Sequence, residues 1–260
     1  YRLGHNVIPL VKSPFQKEMI AKDQMVFERL RAGEEKRGKY TVFNGGPDTG
    51  SIFMCFNLNQ GRNAQNQPFV DPIKSRWFAT KEFRQAIAYA INRDAMTNNI
   101  YRGLGAPLHS PIPAQSPFYL SPKAGLKTYN YDQKKAKQLL LSAGFKYNAE
   151  GELLDREGNK VRFTLLMAVG KKVREQMGTQ IKQDLGKLGM QIDPQFLSFN
   201  TYVEKLRLTK NWDTYLGGFT GGLEPHSGYN IWSVNGTLHS FNQGPQAGEP
   251  QLKGWKAADW

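Results

Sequence analysis

The sequence of 260 residues has a single cysteine, Cys55, and four histidines, His5, His109, His226 and His239. One thiol excludes an internal disulfide and any cysteine-based metal site. Cys55 lies in the apolar run Ile52-Phe53-Met54-Cys55-Phe56, where a buried, inert thiol is expected. The histidines show no HxH or HExxH spacing and flank no nucleophile motif. No catalytic, cofactor or metal residue is therefore assigned, and the chain is not expected to be an enzyme. A dispersed Ser–His–Asp set keeps a small α/β hydrolase or transferase as the enzymatic alternative.

Long apolar runs are also missing. None nears the ~20 residues that a membrane span requires, and no basic segment followed by an apolar stretch marks an export signal. The first residue is Tyr1, so a processed or excised piece is expected. Acidic residues are scarce: 22 Asp and Glu stand against 35 Lys and Arg, a formal net charge of +13. Such a surplus suits nucleic acid or an anionic surface. The basic residues are scattered, however, with the tightest groups at 134–137 and 171–174, and no RNP-like motif or zinc-finger spacing accompanies them. Nucleic acid is not the expected partner; missing sequence carrying the balancing acids accounts for the surplus as well. A nucleic-acid-interacting domain stays as a further alternative.

What is present is alternation. Lys22 to Arg31 reads as a helix and Tyr40 to Phe43 as a short strand. Ser51 to Leu58 is an apolar strand, expected in the centre of a sheet, and 63–72 a surface loop. The clearest helix has Thr80 as cap and runs to about Tyr101, with Phe83, Ala86, Ile87, Ala90 and Ile91 on one face. The proline-rich stretch 107–122 is an extended loop. Asp132 caps another helix, with Gly144 just past its end. Residues 152–154 and 161–168 read as strands about a turn, and a helix follows from about Lys171 to Leu188. Pro194 marks the strand 190–199 as an edge or a bulge. Asn200 is the expected cap of a short helix, and 212–216 a strand. Together these predict an α/β layer domain.

Two glycine-rich segments could approach a ligand. Residues 45–51 lack the Gly-Lys-Ser/Thr ending of a phosphate loop, so a tight turn is expected there. Residues 217–222, Gly-Gly-Phe-Thr-Gly-Gly, leave backbone groups uncrowded around one aromatic, as a ligand loop or a flexible connection would. Trp212, Tyr215, Phe219 and Trp232 crowd the same region, and aromatics serve binding clefts and cores alike. Asp213 or Glu224 could hold an ammonium or hydroxyl group there, or be an ordinary surface acid.

In order along the chain, four stretches resemble extracellular solute-binding proteins of family 5, which serve peptide, nickel and related ABC importers. They are Trp77 to Asp94 with Gly103 to Pro107, Tyr131 to Leu140 with Ala143-Gly144-Phe145, Leu30 to Glu34, and Trp212 to Phe219. The resemblance covers roughly residues 15 to 245. It implies an α/β fold, a periplasmic-binding-protein-like type II lobe with a mixed β-sheet flanked by helices. On this reading residues 1–38 form an interlobe hinge segment, 39–245 one ligand-binding lobe, and 246–260 a tail or severed return connection. The implied partners are a peptide or other small-molecule ligand, a membrane permease and a missing N-terminal lobe, in a monomeric protein outside the cytoplasm. The resemblance places ligand contacts at Phe199, Tyr215, Phe219, Thr220 and Gly221. Peptide-binding members carry an amine-pairing Asp in this loop, whereas this chain has Gly222; Glu224 could replace it if the loop is reshaped. A modified peptide, sugar or opine-like solute stays open.

Overall fold

A computed structural model describes residues 49–257, Leu104 excepted, and the backbone of Lys36–Arg37 (β1) and Tyr40–Thr41 (β2), which pair antiparallel. The expected helix at 22–31 and the glycine turn up to residue 48 lie outside the described residues. The main sheet has four strands: β3 (Ser51–Phe56), β6 (Arg162–Ala168), β7 (Gln191–Leu197) and β8 (Thr214–Phe219). Their order is β3-β8-β6-β7, with β3 antiparallel to β8 and the other neighbours parallel. The apolar strand 51–56 is thus an edge among the described strands, because β8 takes the inner position. β7 is the other edge, as its Pro194 anticipated. A short hairpin, β4 (Lys146–Tyr147) with β5 (Leu153–Leu154), precedes β6.

One face of the sheet carries α1 (Pro72–Ala79), α2 (Lys81–Ala90), α4 (Gln133–Ser142) and α5 (Lys172–Gly186). The core between them and the sheet is built from the apolar stripes of these helices, Phe83, Ala86, Ile87 and Ala90 on α2, Ala136 and Leu140 on α4, and Ile181 and Leu185 on α5. Phe78, Phe83, Phe145 and Phe163 meet at its centre with ring centroids 5.4–6.3 Å apart. Close packing of α5 depends on Gly178, where a Cβ would lie 2.3 Å from the Met167 sulfur. The opposite face holds a second cluster, Leu166, Ala168, Tyr202, Leu206, Trp212 and Tyr215, under α6 (Phe199–Glu204).

Several local expectations are corrected. Helix α1 was not anticipated, although Asp71 caps it, accepting from the Ile73 and Lys74 amides, and Pro72 opens it. The helix from Thr80 stops at Ala90. Buried Asp184 accepts the Asn92 amide at 3.0 Å in place of a helical carbonyl, and Asn92 then caps α3 (Arg93–Ala95), which widens into a turn over Met96–Ile100. Thr80 itself makes no side-chain cap, since its hydroxyl donates back to Arg76 O. Ser198, not Asn200, caps α6. Asp132 and Gly144 hold their expected places at the two ends of α4, Gly144 with φ +85°. Residues 252–257 have no helix or strand but pack back onto the preceding residues: the Trp255 indole donates to Asn242 O, and Arg62 N donates to Lys253 O. No helix among the described residues is long and apolar enough to cross a membrane.

Candidate functional site

The parallel strands β6, β7 and β8 all finish at one edge of the sheet. Ala168 pairs with Leu197, Leu166 with Tyr215, and β3 starts there with Ser51 opposite Phe219. In open α/β sheets this carboxyl edge is where ligand crevices form. Large apolar side chains stand uncovered along it, Val169 after β6, Phe199 after β7 and Leu223 after β8. Ser198 caps α6 and so fixes Phe199 at the first helical position, 66% exposed.

Strand β8 runs through Gly217-Gly218-Phe219, so the glycine-rich segment is strand up to Phe219 and loop only from Thr220. The glycines are required by their neighbours. A Cβ on Gly217 would meet the Tyr215 ring at 2.5 Å, and one on Gly218 would meet the Arg174 guanidinium at 2.8 Å. The Phe219 ring leans on Phe53 with centroids 5.2 Å apart. The loop 220–224 is held by hydroxyls from three segments. Thr49 Oγ1 donates to Gly221 O (2.9 Å), Ser116 Oγ to Leu223 O (2.5 Å) and Ser227 Oγ to Glu224 O (2.6 Å). Gly221 lies so close to the neighbouring chain that a Cβ would sit 1.9 Å from Thr49 O. Ser116 belongs to the proline-rich loop and is buried, and its Oγ also accepts from Phe118 N. Nothing in the sequence singled it out as a clamp, because its partner lies 107 residues away.

The proposed contacts therefore divide. Phe219, Thr220, Gly221 and Glu224 share one loop, and Phe199 stands at the end of a strand in the same sheet. Glu224 is exposed, and its carboxylate meets no donor among the described residues. Tyr215 is only 3% exposed: it packs between Trp212, Tyr202 and Phe53, and its hydroxyl bonds Ser240 Oγ at 2.6 Å. Burial raises the pKa of both Tyr215 and Tyr202, and pushes the adjacent Cys55 thiol up to about 12.

Other residues with chemical potential are occupied elsewhere. Asp213 sits at the start of β8, away from the loop, and its Oδ2 accepts from Lys74 Nζ (2.7 Å), Thr164 N (2.9 Å) and Thr164 Oγ1 (3.0 Å). That carboxylate ties α1 to the sheet through its Oδ2. His239 is buried with Nδ1 2.9 Å from Ile231 O, His226 is exposed, and His5 lies outside the described residues. His109 has its pKa lowered, by desolvation and then by the Arg93 charge.

Comparison with known proteins agrees with this architecture. The family described as bacterial extracellular solute-binding proteins, family 5 Middle, matches residues 18–239. A probable ABC transporter-binding protein of Deinococcus radiodurans is 30% identical over 207 residues, covering 74% of this chain and 33% of the relative. The oligopeptide-binding protein AppA of Bacillus subtilis is 33% identical over 141 residues, covering 54% and 25% respectively. The structure of that AppA with a nonapeptide superposes with a TM-score of 0.57 and 26% identity, over 75% of this chain and 38% of that one. Lactococcal OppA, closed on an endogenous peptide, gives a TM-score of 0.65 and 22% identity over 83% and 40%, which speaks to the fold. The chain spans a quarter to a third of the length of these curated relatives. With the family matched across most of its residues and the mixed sheet of that fold in place, the chain belongs to the bacterial extracellular solute-binding proteins of family 5.

Proposed function

We propose that this chain is one lobe of a substrate-binding protein that captures a peptide-like or other small solute outside the cytoplasm and delivers it to the permease of an ABC importer. The observation that carries this reading is the carboxyl edge of the sheet. There Phe199, Thr220, Gly221 and Glu224 are exposed, and Phe219, resting on Phe53, is partly exposed beside them. Tyr215, within β8, is buried behind this edge with its ring against Gly217. The names of the relatives, AppA and OppA among them, support a peptide as the solute. Closure of a second lobe over this edge would complete the site and shift the population to the form a permease accepts.

Half of a two-lobed site forfeits the contacts of the other half and the water exclusion of closure. The full-length protein should therefore bind a peptide pool at least about 100-fold more tightly than the 260-residue chain alone. Titration calorimetry on both proteins measures the ratio, and equal affinities would overturn the two-lobed reading.

A further inference from the structure

Helix α4 turns Ala136 and Leu140 to the core and leaves its opposite face bare. From Ser121 to Ala149 the chain carries six lysines, Lys123, Lys127, Lys134, Lys135, Lys137 and Lys146, and a single acid, Asp132. All six lysines are exposed, and none makes an ion pair among the described residues. Asp132 is taken up as the cap of α4, accepting from Lys135 N. Acids that follow in the chain are engaged as well, Glu152 with Lys160, Glu157 with Arg76 and Asp184 with Lys187, while Glu150 stands exposed at the turn between β4 and β5. Three of the ammonium groups sit over rings: Lys127 over Tyr129 (5.4 Å to the centroid), Lys135 over Tyr89 (4.8 Å) and Lys137 over Tyr147 (4.6 Å). Lys134, Lys137 and Leu141 fall at helical spacing on one face of α4, so an exposed leucine stands amid this charge.

The face has a defined place in the fold. The β4–β5 hairpin, which carries Lys146, meets the sheet at the amino ends of β6 and β7, where Leu153 N donates to Gly189 O and Val161 N to Leu153 O. Gln133, opening α4, donates to Asp184 O near the end of α5, the helix that leads into β7. The lysines therefore lie at the opposite end of the sheet from the carboxyl edge. Lysines without an arginine offer mobile point charges in place of planar forks, which suits a diffuse layer of headgroups better than one fixed anion. Leu141 adds apolar contact of the kind made at the headgroup boundary. Single-stranded nucleic acid would want open aromatic rings for stacking, and here lysines lie over three of the tyrosines.

We infer that this lysine face docks on an anionic phospholipid surface and holds the protein at the membrane with its carboxyl edge turned away and free. The inference goes beyond the solute-binding reading, and its test uses no solute, so neither falls with the other.

Full-length protein, free of covalent lipid, is sedimented with vesicles of phosphatidylcholine alone or with about one third phosphatidylglycerol. Wild type should bind the mixed vesicles at least about tenfold more tightly than the neutral ones at low salt, and should lose that preference near about 0.5 M salt. The triple variant Lys134→Gln, Lys137→Gln, Lys146→Gln should bind the mixed vesicles at least about tenfold more weakly than wild type, with its melting temperature unchanged, and Lys134→Gln alone about threefold more weakly. A second triple, Lys182→Gln, Lys253→Gln, Lys256→Gln, removes the same charge from exposed positions elsewhere and should bind like wild type. No preference for the mixed vesicles overturns the inference, as it would if the rest of the full-length protein covered this face. Equal losses in the two triples also overturn it, since binding would then follow net charge alone. So does tighter binding, per phosphate, to a DNA duplex than to the mixed vesicles, which assigns the face to nucleic acid.

Discussion

Removing the Asp213 carboxylate would leave three donors without an acceptor: the Lys74 ammonium, the Thr164 amide and the Thr164 hydroxyl. Breaking a buried pair from one side costs more than the pair contributes, so Asp213→Ala should destabilise the chain by about 3 kcal/mol. Asp213→Asn keeps an acceptor oxygen and should cost about 1 kcal/mol. Urea midpoints of the two variants test the order. Cys55 gives a pH prediction. Its thiol ionises near 9.0 in the unfolded chain and is pushed up to about 12 by burial in the fold. Stability from this group is complete below pH 9.0 and declines as pH rises from there toward 12, because only the unfolded chain then loses the proton. Tyr202 and Tyr215, raised from 10.0, add to the decline. Urea midpoints at about pH 8 and about pH 10.5 should therefore separate less in Cys55→Ala than in wild type.

Between residue and lobe, the loop 220–224 is the element whose properties are most open to test. Ser116→Ala deletes the hydroxyl on Leu223 O while leaving the core untouched. Amides of the loop should then exchange with solvent at least about tenfold faster, with the urea midpoint of the chain nearly unchanged, as hydrogen exchange would show. Gly221→Ala drives a methyl group into Thr49 O, so the loop must lift and ligand affinity of the full-length protein should fall about tenfold or more. Much of the element plan was legible in sequence, because α2, α4 and α5 carry apolar stripes at helical spacing and Asp132 and Gly144 punctuate α4. The failures have physical causes. Gly217 and Gly218 read as loop since glycine is a poor strand former, yet the Tyr215 ring and the Arg174 guanidinium take up the space their side chains would need. Asp184 takes the Asn92 amide from 92 residues away, and Ser116 clamps Leu223 across 107, distances that no local pattern records.

For the whole molecule, the motifs placed the chain in its family while saying little about which groups meet. Among the expected contacts, Tyr215 belongs to an aromatic group that packs as a buried cluster. Aromatic density alone does not distinguish a cleft from an interior. The strand order has a consequence for how the chain is made. β8 is the last strand of the main sheet in sequence and lies between β3 and β6. Until residue 219 has left the ribosome, β3 has no neighbour to pair with and β6 and β7 form an unfinished ribbon. Both halves of the core then lack a wall, so the nascent chain cannot close its interior one segment at a time. The order of synthesis itself thus delays completion of this sheet until β8 has been made.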